Sequence, residues 1–130
     1  MTHGQRTNQN LVEQWLAPFE LDIFLRPHVV AVVLALPDSV RDDLIGDASL
    51  KLYDYEPGPM SVAHIPMSLP GRSVVLKRNL RRRPASFVRY VIAHELAHSH
   101  LRNRGRVPGE DPELAADSLA AAWGFPKPAP

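Results

Sequence analysis

The stretch from Pro84 to about Leu101 constrains this chain more than any other, because its apolar residues Phe87, Val88, Val91, Ile92 and Leu96 recur at helical spacing. Proline is well placed in a first helical turn, where its missing N–H costs nothing, so Pro84 marks the start. A polar, glycine-containing loop from Arg102 to Asp111 follows, and then a second helix is predicted from Pro112 to about Trp123, stopped by Gly124 and Pro126. The two helices are expected to lie side by side.

Upstream, Leu11, Val12, Trp15 and Leu16 fall at helical spacing after Asn10, a plausible cap, until Pro18 interrupts the pattern. His28 to Leu36 is almost wholly apolar between Pro27 and Pro37, which fits a buried helix or a buried strand, and helix is the favoured reading. Asp38 to Ile45 reads as a helix with acids in its first turns, ending at Gly46. Three stretches of β-favouring residues then follow, Ser49 to Tyr55, Met60 to Met67 and Arg72 to Lys77, divided by Pro57-Gly58-Pro59 and Pro70-Gly71. The fold class expected is α+β: a roughly three-stranded, mainly antiparallel sheet packed on the two C-terminal helices, with further helices at the N-terminus. At 130 residues the chain fits one domain, 1–130, with residues 1–8 and 126–130 expected to be flexible tails.

The chain has no cysteine, which removes disulfides and thiolate metal sites and leaves His, Asp and Glu as the only strong metal ligands. The segment Met1 to Asn10 is polar and lacks the apolar run of a signal peptide or membrane anchor, so a cytoplasmic protein with no membrane partner is expected. The net charge of +1 conceals an asymmetry: residues 72–106 hold ten of the fifteen lysines and arginines and a single acid, Glu95. With aromatics there limited to Phe87 and Tyr90, the block reads as a solvated basic face ahead of a nucleic-acid surface.

Inside the first C-terminal helix lies His94-Glu95-Leu96-Ala97-His98, an H-E-x-x-H pattern. Residues four apart sit about 5–6 Å from each other on one helix face, so the two imidazoles can converge on one metal ion at roughly 2.0–2.1 Å. Glu95 is rotated by about 100° from His94 and can reach a water at the same metal, the place of a general base. A third protein ligand must come from elsewhere. Glu113-Leu114-Ala115-Ala116-Asp117 on the next helix offers Glu113 for that position, with Asp117 one turn on to accept a hydrogen bond from a ligating imidazole. Ala93 and Ala97 beside the histidines are small enough to let helices approach.

The combination resembles the gluzincin zinc metallopeptidases, in which H-E-x-x-H is followed on a second helix by E-x-x-x-D. The Ala116-Asp117 ending and the fifteen-residue step from His98 to Glu113 look most like the minigluzincins and the ImmA/IrrE-type peptidases. The resemblance spans about Ser73 to Phe125 and leaves residues 1–48 unexplained. It implies Zn²⁺ held by His94, His98 and Glu113, with Asp117 behind a histidine and Glu95 activating water against a peptide bond. The substrate implied is a protein or peptide, a regulatory protein among the candidates. Two other readings of the same residues are a zinc-bound, non-catalytic binding module and a DNA-associated protease recruited through the basic block 72–106.

A peptide substrate is expected to lie along a free strand edge, either Arg72 to Lys77 or Met60 to Met67, with the former favoured for its proximity to the motif helix in sequence. Tyr53, Tyr55, His64 and Arg102 are the candidates for stabilising an oxyanion. His100 lies about 240° from His94 round the helix, off the metal face. His3 and His28 have no evident partner, Trp15 and Trp123 read as packing residues, and Ser99 has no triad around it. The cluster Lys77, Arg78, Arg81, Arg82 and Arg83 precedes the motif helix, where positive charge opposes the helix dipole, and is expected to form a loop.

Overall fold

A computed structural model of the chain describes residues 3–55, 73–104 and 109–129. Its elements are α1 (His3–Leu16), α2 (Arg26–Ala35), α3 (Asp38–Gly46), β1 (Lys51–Tyr55), β2 (Ser73–Lys77), a 3₁₀ helix (Arg78–Arg82), α4 (Ala85–Arg104) and α5 (Pro112–Ala122).

Mostly helical architecture with a parallel strand pair replaces the expected three-stranded, mainly antiparallel sheet. β1 and β2 pair in parallel, from Lys51 opposite Ser73 to Tyr55 opposite Lys77. Parallel neighbours need a crossover of about a dozen residues or more, and residues 56–72 supply that length. The expected strand Met60 to Met67, with Arg72, lies outside the described residues. Alternation along a strand reports which side chains are buried, and it is the same for either pairing direction, so sequence pattern left the direction open. In β2 the alternation is complete: Val74 and Leu76 are buried, while Ser73 and Val75 are half-buried and Lys77 is exposed.

Helix α1 starts at His3, before Asn10, so the N-terminal lead expected to be irregular is largely helical. The chain after Phe125 carries no regular structure as far as Ala129. The apolar run between prolines forms α2, whose Val29, Val32 and Val33 are fully buried. Its C-terminal carbonyls are gathered by one side chain from α3. Arg41, 5% exposed, donates Nε to Val33 O at 3.0 Å and Nη2 to Leu34 O at 2.9 Å and Leu36 O at 2.7 Å. Its third nitrogen pairs with Asp38 at 2.8 Å. A cation at a helix C-terminus satisfies orphan carbonyls and opposes the dipole. Arg26 does the same for the end of α1, reaching Leu16 O at 3.0 Å and Phe19 O at 2.6 Å.

The 20-residue α4 is the axis of the molecule, packed by α2, α3, α5 and β2. Its buried Val88, Ile92, Ala93, Leu96 and Ala97 join residues from every other element in one apolar cluster. His100 ties it to α3 through Asp43 at 2.8 Å, with Asn103 on the same carboxylate oxygen at 3.0 Å. Among the described residues, no helix is long and apolar enough to cross a membrane.

The middle of the basic cluster, Arg78–Arg82, is a 3₁₀ helix where a loop was expected, and two of its arginines have anchors. Arg78 meets Asp54 at 2.9 Å, and Arg81 meets Asp22 at 3.3 Å. Asp54 is 2% exposed and also accepts the backbone N–H of Asp22, so one buried carboxylate joins β1, the 3₁₀ helix and the loop before α2.

Candidate metal centre

Two caps fix the helix that brings in the acidic residues. Asp111 accepts the backbone N–H of Glu113 at 2.9 Å and of Leu114 at 3.3 Å, and Pro112 follows in the first turn, so Glu113 sits at the N-terminal end of α5. At the other end Gly124, with φ of 99°, lets Phe125 N–H return to Ala120 O at 2.9 Å and Gly124 N–H to Ala121 O at 3.0 Å, a Schellman closure. Between the caps, Ala116 and Ala120 are fully buried on the side of α5 that meets α4. Alanine seams keep the axes close enough for short acidic side chains to reach the neighbouring helix.

The structure brings His94 and His98 on α4 together with Glu113 on α5. The two Nε2 atoms are 3.1 Å apart, Glu113 Oε2 is 2.9 Å from His94 Nε2, and Glu113 Oε1 is 3.0 Å from His98 Nε2. These three residues form a group that can hold a metal ion. The spacing fits one: ligands about 2.05 Å from a tetrahedral centre stand roughly 3.3 Å from each other. The Glu113 side chain is 72% exposed, against 13% for His94 and 16% for His98, so the group opens to solvent on the glutamate side.

Asp117 stands behind His94, with Oδ1 2.7 Å from Nδ1. The same oxygen accepts the hydroxyl of Tyr90 at 2.6 Å. The Tyr90 hydroxyl, and then the bond to His94, outweigh burial and hold the Asp117 carboxyl below its usual range. Burial first, then the hydrogen bond and charge of Asp117, push Tyr90 up to about 12, so it remains a donor.

An ionised carboxylate only accepts hydrogen bonds, so Asp117 fixes the proton of a neutral His94 on Nδ1. The Nε2 lone pair then faces the Glu113 carboxylate at 2.9 Å, two acceptors in contact. A cation between them, a second proton or a metal ion, removes that conflict.

Tyr90 was not singled out by sequence reading. Its signal is its place four residues before His94, which puts Tyr90, His94 and His98 on one stripe of α4. Their rings pack in a row, 5.8 Å between Tyr90 and His94 and 4.7 Å between His94 and His98. Of the other residues weighed, Arg102 lines a cleft of about 430 Å³ with Glu95, His98, Glu110 and Glu113. Tyr53 lies exposed on β1 and does not line this cleft, Tyr55 ends the same strand, and His64 lies outside the described residues. His100 is off the metal face, beside Trp123 at 6.4 Å. His28 has a partner after all, Arg89 Nε donating to its Nδ1 at 3.2 Å. Ser99 is buried and turns back to the Glu95 carbonyl at 3.4 Å.

Comparison with protein-family models, curated protein sequences and solved structures finds no match to this chain.

Proposed function

We propose that this protein is a zinc-dependent endopeptidase whose metal is held by His94, His98 and Glu113 and whose general base is Glu95. One observation carries the metal: His94 Nε2, His98 Nε2 and the Glu113 carboxylate converge within 2.9–3.1 Å of one another, while Asp117 holds the other ring nitrogen of His94 at 2.7 Å. Nitrogen and oxygen donors without thiolates, with three protein ligands and one open side, suit zinc in a hydrolytic site.

When bound, zinc supplies Lewis acidity that polarises a carbonyl and lowers the pKa of water toward about 7. Glu95 lines the cleft that His98, Arg102 and Glu113 share, the position from which its carboxylate takes one proton from the attacking water. The remaining hydroxide forms the new bond to the carbonyl carbon. Glu95 then returns the proton to the amide nitrogen as the C–N bond breaks, leaving a carboxylate product and an amine. Arg102, which lines the same cleft, offers a donor for the negative oxygen that develops in between. A purely structural metal has no use for an acid at position 95, which favours the catalytic reading over a binding module.

The test compares the parent with Glu95→Gln and His98→Ala by metal analysis and cleavage of a denatured protein substrate. One zinc per chain is expected in the parent and in Glu95→Gln, with a reduced content in His98→Ala and cleavage by the parent alone. Undiminished cleavage by Glu95→Gln sinks the mechanism, and a parent that takes up no zinc sinks the site.

A further inference from the structure

Glu95 borders a second cleft, of about 420 Å³, between β2, the 3₁₀ helix and the N-terminal half of α4. Val75, Leu80, Phe87 and Val91 give it an apolar lining, and Lys77 and Arg83 bring positive charge to it. Because Glu95 belongs to both clefts, the second continues the metal-side cleft along α4. Its volume lies within the roughly 300–1,000 Å³ of ordinary ligand sites.

The charges of this cleft are not those the fold consumes. Arg78 and Arg81 are committed to Asp54 and Asp22. Lys77 points outward at the end of β2, and Arg83 lies over the Phe87 ring with its guanidinium carbon 4.3 Å from the centroid. Neither has a carboxylate partner among the described residues. Among the described residues, the only acid bordering the cleft is Glu95, at the end where a peptide would be cut.

We infer that this cleft selects the substrate: it takes an extended peptide segment carrying an apolar side chain beside an acidic one, the first on Val75, Leu80 and Val91, the second between Lys77 and Arg83. The inference rests on the peptidase reading for what happens next to the bound segment. An apolar lining flanked by two cations, with Glu95 at the far end, distinguishes two-residue patterns, since a lysine in the acidic position meets two cations. Nucleic acid fits less well, because among the described residues Phe87 is the only aromatic ring bordering the cleft and Arg83 already covers it.

The experiment measures fluorescence anisotropy of short labelled peptides against the zinc-loaded full chain. One peptide carries Leu-Glu in an extended, otherwise neutral context, its counterpart carries Leu-Lys, and a short DNA duplex serves as competitor. The Leu-Glu peptide is expected to bind on the order of tenfold more tightly, the scale of two weak, solvent-exposed charge contacts. Lys77→Glu, a change at an exposed side chain, is expected to shrink the ratio, and Lys77→Glu with Arg83→Gln to abolish or invert it. Equal affinities in the parent, a ratio that survives both variants, or displacement by DNA at lower concentration than by peptide each overturn the inference. Cleavage is read on the same samples and answers the other question. A bound but uncut Leu-Glu peptide counts against the peptidase and keeps the cleft, whereas cutting without charge preference keeps the peptidase and removes the cleft.

Discussion

Tyr90 and His94 share one carboxylate oxygen: Oδ1 of Asp117 lies 2.6 Å from the tyrosine hydroxyl and 2.7 Å from His94 Nδ1. Tyr90 thus acts on the metal group through Asp117, and the row from Tyr90 to His98 is oriented from its buried end. Outer partners of this kind are worth about 10–100-fold in metal affinity. Asp117→Asn is expected to weaken zinc binding within that range and Tyr90→Phe by about tenfold, both with unchanged far-UV circular dichroism. Competition against a chromophoric chelator measures this. Parental affinity in Tyr90→Phe would show that Asp117 needs no help to hold His94.

On the proposed reading, zinc is expected to stabilise the folded chain, because His94, His98 and Glu113 come from α4 and α5 and converge only when those helices are packed. At a free zinc concentration a hundredfold above Kd the gain is about 2.7 kcal/mol. The melting temperature of the parent should rise with added zinc and fall back with a chelator. His98→Ala should show a much smaller rise, and an identical rise in that variant would place the metal elsewhere.

His28 makes stability depend on pH. Burial first, and then the Arg89 charge, hold its pKa below the ordinary 6.5, and its Nδ1 accepts from Arg89, as only a neutral ring can. Below 6.5 the unfolded chain therefore binds more protons at this residue than the folded one. The contribution of His28 is fully present above that value and is lost as pH falls through the lower folded value. In metal-free protein, the drop in melting temperature from about pH 7 to about pH 5 should be shallower in His28→Gln than in the parent. Parallel curves would remove His28 as the cause.

Arg41 is expected to be the most costly surface-to-core charge to lose. Its replacement by Met keeps much of the stem but leaves the carbonyls of Leu34 and Leu36 without the guanidinium donor and that of Val33 with the backbone N–H of Leu36. Hydrogen bonds from a charged donor contribute about 1.5–3 kcal/mol each and are not additive, so a total loss of about 3–5 kcal/mol is expected. Lysine, with a single compact head group, should recover only part of it. Urea midpoints at constant slope give the comparison, and a loss under about 1 kcal/mol would mean that water replaces the guanidinium.

The site was more legible than the fold around it. His94 and His98 converge because i and i+4 share a helix face whatever surrounds the helix. Asp111-Pro112 and Gly124 set the limits of α5 by local chemistry, which carried Glu113 and Asp117 into place once α5 lay on α4. The helical run of α2 was readable only as apolar, and α1 begins earlier than its apolar spacing indicates. The basic cluster misled because repulsion near a helix start was visible in the sequence, whereas Asp22 and Asp54, its partners, are far away along the chain.

The sequence by itself determined the face on which two histidines meet, the caps of the glutamate helix and the exclusion of thiolate ligands, all consequences of bonding within a few residues. Tertiary structure alone decided that β1 and β2 run parallel, that Arg41 closes α2, and that Tyr90 and His94 lean on one oxygen of Asp117. Those relationships join atoms distant in the chain. Their partners are chosen by packing and by the need to satisfy buried polar groups, which no local pattern records.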